Sequence, residues 1–185
     1  MGRYWVWGLL CWLASGHASA VNVFTVNATA DPGNGVCDAS ECTLREAITL
    51  ANATANVGGP DEIRFNIPGA GPHRIAISSN LPVMSTAMSI LGYSQPGAAA
   101  NTASAGSNAV IRIVIDAAAV STTTPALAVA AAGSEVSGIA VVNKASGAGI
   151  GVSTSASVRG CWLGVEADGT TLAANQFGFR VDNVS

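Results

Sequence analysis

Short runs in which apolar and polar side chains alternate fill most of the chain from residue 21 onward. An alternation with a period of two places every second side chain on the same face of a strand, so each run predicts a strand with one buried face. Gly, Asn, Ser and Pro separate the runs and predict tight turns between them. The predicted strands lie at residues 21–26, 63–67, 75–77, 111–115, 127–129, 139–141, 150–152, 161–163 and 179–181. This pattern is typical of an all-β protein.

One segment departs from the alternation and predicts a helix. Apolar residues recur there at i, i+3, i+4 and i+7, which places them on one helical face; they are Leu44, Ala47, Ile48 and Ala51. Thr43 precedes the run and Glu46 follows Thr43 by three residues, which is the spacing of a capping box at a helix N-terminus. Pro60 marks the latest point at which this helix can end.

A regular spacing of apolar positions connects the predicted strands. Five of these positions are separated by 23, 23, 23 and 22 residues; they are Ile67, Ile90, Ile113, Val136 and Val158. Around the last two, residues 127–129 precede Val136 as residues 150–152 precede Val158. A fixed period of this length, made of short strands, predicts a solenoid in which each coil stacks on the previous one. The solenoid that fits is a parallel β-helix. An antiparallel sandwich also has short strands and turns, but it does not require this register.

The first twenty residues have the order of a secretory signal peptide. Arg3 supplies a positive start, residues 4–14 form an apolar run, and Ala18 and Ala20 occupy the small-residue positions of a cleavage site. A membrane anchor is the alternative, but eleven residues are fewer than the roughly 20 that a spanning helix needs. We therefore expect residues 1–20 to be a signal peptide, residues 21–60 an N-terminal cap, and residues 61–185 the coils of the β-helix. The expected location is secreted or on a bacterial cell surface or outer membrane.

Composition and cysteine content agree with an exported protein and exclude some classes of partner. Charged residues make up 10% of the chain and its formal net charge is −3, so no basic patch is available for nucleic acid or for a membrane surface. In an oxidising compartment, Cys37 and Cys42 are predicted to form a disulfide. Cys161 remains without a partner and is expected to be a buried free thiol. No transmembrane segment is expected.

The helix segment resembles a known motif. Cys42, Thr43, Leu44, Arg45, Glu46, Ala47 and Ile48 follow one another in the chain, with residues 24–26 and Asp31 before them and residues 61–65 after them. The run is similar to the CSLREA domain of bacterial secreted and cell-surface proteins, with Thr43 where that motif usually has Ser. In a β-helix, such a helix pinned by a disulfide would cover the open apolar end of the first coil, and we state this capping role as a hypothesis.

The C-terminal part carries a second resemblance. Residues 160–164, 169–170, 175 and 178–181 look like a glycine-rich β-helix repeat of similar exported proteins. The chain departs from that repeat at Cys161, where Asn is usual, and at Val165, where Thr is usual. Together the two resemblances imply a right-handed parallel β-helix of the pectin-lyase-like type. Because residues 178–181 begin a coil that is not closed by a cap, we expect the sequence to be part of a longer exported protein.

The sequence offers little that points to catalysis. The acidic residues are scattered, and only Arg112 with Asp116, and Arg159 with Glu166 and Asp168, bring a base near an acid. A group of oxygen-bearing residues suggests calcium, but its spacing does not match a calcium-binding loop and fits a turn better; the group is Asp31, Asn34, Asp38 and Glu41. We therefore predict no catalytic residue, no metal ligand and no cofactor.

The predicted function is that of a non-catalytic scaffold or adhesin-like surface protein. Its expected partner is an extracellular glycan or a host or cell-surface protein. The alternatives are a fragment of a carbohydrate-active β-helix enzyme, a polysaccharide lyase or a glycoside hydrolase, and a non-catalytic glycan-binding module.

Overall fold

The computed structural model describes residues 20–182, and most of its regular structure is β-strand. The predicted signal peptide, apart from Ala20, lies outside the described residues. The elements are β1 Val23–Val26, α1 Leu44–Ala53, β2 Asp61–Phe65, β3 His73–Ala76, β4 Met88–Leu91, a 3-10 helix Gly92–Ser94, β5 Ile113–Asp116, β6 Leu127–Val129, β7 Glu135–Ser137, β8 Ile139–Val142, β9 Ala148–Val152, β10 Ser157–Arg159, β11 Trp162–Leu163 and β12 Phe177–Val181. The prediction of a mainly β protein is confirmed. Strands β4, β7 and β10 were not predicted, because they are only three or four residues long and β7 and β10 each contain a single apolar residue.

The strands form three sheets in which every strand pairs in parallel with its neighbours. Sheet A has the order β1-β2-β4-β7-β10, sheet B has the order β11-β8-β5-β3, and sheet C has the order β12-β9-β6. From β4 onward the chain contributes one strand to sheet B, one to sheet C and one to sheet A in turn. Parallel strands require such crossovers, because a short hairpin joins only antiparallel neighbours.

The register corrects part of the predicted period. Ile90 lies opposite Ile63 on one side and opposite Val136 on the other, and Val136 lies opposite Val158. The predicted equivalence of Ile67 and Ile113 with this row is therefore wrong. Ile113 belongs to sheet B, where it lies opposite Ile139. The pairing of residues 127–129 with residues 150–152 is as predicted.

A loop between β4 and β5 explains why the even spacing of apolar residues did not predict the strand partner of Ile113. Ala99 and Val110 form an antiparallel bridge that closes this loop at its base. Inside it, hydrogen bonds of Asn101 and Asn108 join the two sides of the loop. For example, Asn108 N donates to Asn101 Oδ1 at 3.0 Å. The loop is thus an insertion that is folded on itself. Ile113 falls 23 residues after Ile90 because this insertion lengthens the connection from β4 to β5 by about the length of one coil.

The inward side chains of the three sheets stack into one core. Ile63, Ile90 and Val136 are fully buried in sheet A, as is Ile150 in sheet C. Helix α1 packs against β1 and β2 at one end of this core. Its apolar face, Leu44, Ala47, Ile48 and Ala51, has no exposed surface. Burial of a Leu or Ile side chain stabilises the fold by roughly 1.5–3 kcal/mol, so this end contributes substantially to stability.

The opposite end of the core is more exposed. Strands β10, β11 and β12 are the last strands of their sheets. In β12, Phe177 and Phe179 are 52% and 44% exposed, whereas Ile150, opposite Phe179, is fully buried. The outermost apolar layer at this end therefore remains partly open to solvent.

One basic side chain is enclosed by backbone oxygens. Lys144 is the chain's single lysine and has no exposed surface. Its ammonium donates to the carbonyl oxygens of Val120, Thr122 and Ser146, the first at 3.2 Å. Burial lowers the pKa of this ammonium. The three bonds fasten the loop after β5 to the turn before β9.

Candidate functional site

The helix motif folds as a capping box. Thr43 Oγ1 accepts a hydrogen bond from Glu46 N at 3.3 Å, and Glu46 Oε2 accepts one from Thr43 N at 2.8 Å. The second carboxylate oxygen of Glu46 accepts a hydrogen bond from Gly35 N at 2.5 Å. Burial raises the pKa of Glu46, but the hydrogen bonds from Thr43 and Gly35 outweigh this effect and the net pKa is lowered. Gly33 must lack a side chain, because a Cβ there would lie 2.6 Å from Glu46 Oε1.

Arg45 joins three parts of the N-terminal region. Its Nε and Nη2 donate to the two carboxylate oxygens of Asp31 at 2.6 and 3.0 Å, the bidentate geometry that suits a guanidinium. It also donates to the carbonyl oxygens of Asn80 and Ser79 at 2.8 and 2.9 Å. Asp31 accepts two further bonds from Ser78 N and Oγ. Burial raises the pKa of Asp31, and the bonds from Arg45 and Ser78 more than offset it, so the pKa lies below its usual value.

The predicted disulfide between Cys37 and Cys42 is present. Within the loop that it closes, Asp38 Oδ1 accepts hydrogen bonds from Ser40 N and Oγ at 2.7 and 2.6 Å and from Glu41 N at 3.2 Å. These bonds, chiefly those from Ser40, lower the pKa of Asp38. Cys161 carries a free thiol, as predicted, but it is partly exposed rather than buried, and the partial burial raises its pKa.

The oxygens that suggested calcium serve other partners. The Asp31 carboxylate is occupied by Arg45 and Ser78, and Asn34 Oδ1 accepts a hydrogen bond from Val36 N at 2.8 Å. Asp38 caps its own turn. Among residues 20–182, no group of three or more His, Cys, Asp or Glu side chains is placed to hold a metal ion.

The base and acid pairs suggested by the sequence are arranged differently in the structure. Arg112 donates to the carbonyl oxygens of Gly97 and Ala70 rather than to Asp116. Asp168 caps its own turn by accepting from Thr171 and Thr170, and these bonds lower its pKa to about 2. Neither residue therefore pairs with the partner that the sequence suggested.

A basic side chain that the sequence did not single out bridges an acid on sheet B and an acid in the loop after β11. Arg74 donates to Asp116 at 2.7 Å and to Glu166 at 2.5 Å. Asn143 Nδ2 donates to the other oxygen of Asp116 at 3.0 Å. Burial raises the pKa of Asp116, but hydrogen bonds from Asn143, Ala118 N and Arg74 outweigh this effect and the net pKa is lowered. Both acids are ion-paired with Arg74.

The outer face of sheet A carries charged side chains in two rows that cross the strands. The register places Glu62, Ser89 and Glu135 in one row and aligns a second row two residues further along each strand. The second row contains Thr25, Arg64, Leu91, Ser137 and Arg159. Each arginine is paired with a glutamate of the first row, Arg64 with Glu62 and Arg159 with Glu135, both at 2.6 Å.

Tyr93 forms one side of a groove on this face. Its hydroxyl donates to the carbonyl oxygen of Gly160 at 2.9 Å. Its ring lies so close to Gly138 and Gly160 that a Cβ on either glycine would come within 2.6 Å of the tyrosine. The groove has a volume of about 850 Å³ and is lined by Arg64, Leu91, Tyr93, Ser94, Ala100, Asn101, Glu135, Ser137, Arg159 and Gly160.

Sequence reasoning missed this groove because its residues come from five separate parts of the chain. Glu62 and Arg64, two residues apart on one strand, were a local signal for an outward charged pair. Glu135 and Arg159 gave no such signal, since only the pairing of β7 with β10 brings them together.

A comparison with protein-family models, with curated proteins and with solved structures finds no match for this chain. The groove on sheet A is therefore interpreted from its own geometry. No helix in the part of the chain that the structure describes is both long enough and apolar enough to cross a membrane.

Proposed function

We propose that this chain is an exported, right-handed parallel β-helix that acts as a non-catalytic scaffold and binds an extracellular glycan through the groove on sheet A. The β-helix is supported by the succession of β7, β8 and β9 and then of β10, β11 and β12, which enter sheets A, B and C in the same order. Equivalent residues of the two successions lie side by side, as Val136 does with Val158 and Val152 with Val181.

The N-terminal region has the properties of a cap in this proposal. Sheet A begins at β1, and an uncovered edge and apolar end would favour aggregation. Helix α1 lays its buried face over that end of the core, and Arg45 fastens it to the loop at residues 78–80. Residues 21–60 would thus terminate the β-helix, which agrees with the resemblance to the CSLREA domain.

The groove carries the proposal of a glycan ligand. Tyr93 offers an aromatic ring of the kind that sugar rings stack on, with a polar tip for hydrogen bonding. Arg64, Arg159 and Asn101 supply donors, and Glu135 and Ser137 supply acceptors, around the same space. Because each arginine is already paired with a glutamate, the surface is close to neutral and suits hydroxyl-rich ligands better than highly charged ones.

The state of the carboxylates supports binding rather than hydrolysis. A glycoside hydrolase of the common type needs one carboxylic acid whose pKa is raised so that it can protonate the leaving oxygen. In this protein the pKa values of Asp31, Asp38, Glu46, Asp116 and Asp168 are all lowered by hydrogen bonds or ion pairs. Glu135, the acid in the groove, is paired with Arg159.

The glycan proposal is tested by screening residues 21–185 on an array of bacterial, plant and host polysaccharides. Binding is expected, and Arg64→Ala combined with Arg159→Ala should weaken it at least tenfold. Arg180→Ala is the matched control, because Arg180 is also an exposed arginine paired with an acid, Asp182, but lies on sheet C. Equal loss in the control would place the binding site elsewhere.

The enzyme alternative has its own test. Incubation of the same protein with pectic, alginate and neutral polysaccharides should release neither reducing ends nor unsaturated uronides. Release of either product, abolished by Glu135→Gln, would replace the scaffold proposal by a catalytic one. Export is tested separately: N-terminal sequencing of the protein recovered outside the cytoplasm should begin at Val21.

A further inference from the structure

Asn34 and Gly35 form the single Asn-Gly pair of the chain and lie in the loop that precedes the disulfide. Both residues are exposed. Gly35 has a φ of +91°, and a Cβ built on it would meet no atom within 4 Å. The space beside the Gly35 Cα is therefore open. An Asn followed by Gly is the pair in which the backbone nitrogen reaches the side-chain carbonyl with the least steric hindrance.

Two hydrogen bonds involve the atoms that would react if the Gly35 nitrogen attacked the side-chain carbonyl of Asn34. Glu46 Oε1 accepts the hydrogen of Gly35 N at 2.5 Å, so a carboxylate contacts the proton that the nucleophile must lose. Val36 N donates to Asn34 Oδ1 at 2.8 Å, which is where negative charge develops when that carbonyl is attacked. The lowered pKa of Glu46 keeps its carboxylate in the ionised, proton-accepting form at neutral pH.

We propose that the N-terminal cap contains a self-modifying site at which Gly35 N attacks Asn34 Cγ, with Glu46 as the proton acceptor and Val36 N–H as the oxyanion donor. A bond forms between Gly35 N and Asn34 Cγ, and the five-membered succinimide ring closes. The bond between Cγ and Nδ2 breaks, and Nδ2 takes a proton and leaves as ammonia. Water then opens the ring and leaves either aspartate or isoaspartate at position 34. No oxidant or cofactor is needed.

The product changes the electrostatics of the cap. A new carboxylate at position 34 lies in the same short loop as the backbone amide that Glu46 binds, so two negative groups come close together. An isoaspartate also lengthens the backbone next to Gly33 and Gly35, whose positive φ angles shape the loop. The modification should therefore weaken the contact between the loop and helix α1. This inference is independent of the proposed glycan binding.

The test follows the mass of the peptide that spans residues 32–45 while folded protein of residues 21–185 is incubated at neutral pH. A gain of about 1 Da and labelling by an isoaspartyl methyltransferase are expected. The same chain, unfolded in guanidinium chloride, should react at least tenfold more slowly. A positioned general base typically accelerates a reaction by ~100-fold or more, so a tenfold difference is the minimum expected. A folded protein that reacts no faster than the unfolded chain would overturn the proposal.

Two variants separate the proposed roles. Glu46→Gln should slow the reaction at least tenfold, and Glu62→Gln, which removes a carboxylate from sheet A, should leave it unchanged. Val36→Pro removes the oxyanion donor but retains Glu46, and it should also slow the reaction. This second variant keeps the proposal testable if Glu46→Gln fails to fold. Unchanged rates in both Glu46→Gln and Val36→Pro would show that neighbouring groups play no part.

Discussion

Ile90 lies directly opposite Val136 in adjacent parallel strands of sheet A, although β5, β6 and the folded loop at residues 99–110 lie between them in the chain. The contact depends on the correct placement of this whole segment. It therefore reports on the topology as a whole rather than on a local turn.

Engineered cysteines next to this pair test the register. Ser89 and Glu135 are register partners, so Ser89→Cys with Glu135→Cys in a Cys161→Ser background should form a disulfide readily. The matched control, Ser89→Cys with Ser137→Cys, is displaced by two residues, which moves the Cα atoms beyond the roughly 7 Å limit for bridging. Mass spectrometry under non-reducing conditions measures both. Equal cross-linking of the control would contradict the register.

Replacement of Arg45 should destabilise the cap. Arg45→Lys keeps the charge but loses the two-pronged contact with Asp31, whose side chain is 1% exposed. We expect a loss of about 2–4 kcal/mol in the free energy of unfolding, since a largely buried partner is left poorly paired. Urea unfolding followed by circular dichroism measures it. Arg180→Lys, in an exposed pair, should change stability by less than about 0.5 kcal/mol; a similar loss in both variants would argue against a special role for Arg45.

Acid should weaken the fold through Asp31 and Asp116. Their pKa values are lower in the folded chain than the ordinary value of 3.8, so the folded chain binds protons less readily than the unfolded chain. The stability that they contribute is complete above pH 3.8 and is lost as the pH falls through the folded pKa values. The urea midpoint should therefore stay level between about pH 7 and 5 and drop below about pH 4. Asp31→Asn should be less stable at pH 7 and show a smaller drop; an unaltered drop would assign the acid sensitivity to other groups.

Removal of the Lys144 ammonium should open the loop that it fastens. Lys144→Met is close in length but leaves the carbonyl oxygens of Val120, Thr122 and Ser146 without their donor. A loss of about 2 kcal/mol is expected, because one buried and two partly buried carbonyl oxygens lose a charged donor. Because Lys144 is the single lysine, amine-reactive labelling of its side chain in the wild-type protein should be slow when folded and fast in urea. Rapid labelling of the folded protein would show that the side chain is not enclosed.

The disulfide should stabilise the N-terminal loop. Cys37→Ser with Cys42→Ser frees a loop whose ends are five residues apart, and the entropy of closing a loop of this size corresponds to about 2 kcal/mol. Thermal unfolding and solubility measure the effect. If both stay at wild-type values, the disulfide does not pin the helix cap.

The sequence alone was enough for the local features of this protein. The alternation of apolar residues located most strands, because one face of each strand is buried. Thr43 and Glu46 identified the start of helix α1, because their side chains bond to backbone groups three residues away. The partnership of Cys37 and Cys42 was likewise predictable from proximity in the chain.

Only the tertiary structure decided which distant residues meet. It showed that Ile113 belongs to sheet B and that Val136 is the partner of Ile90, because an insertion can restore an even spacing in the sequence without restoring the register. It also assembled the groove, since Arg64, Tyr93 and Arg159 come together through strand pairing. Side chains that meet across neighbouring strands of sheet A are far apart in the chain and give no local signal in the sequence. This is why the β content was predictable from the sequence while the groove was not.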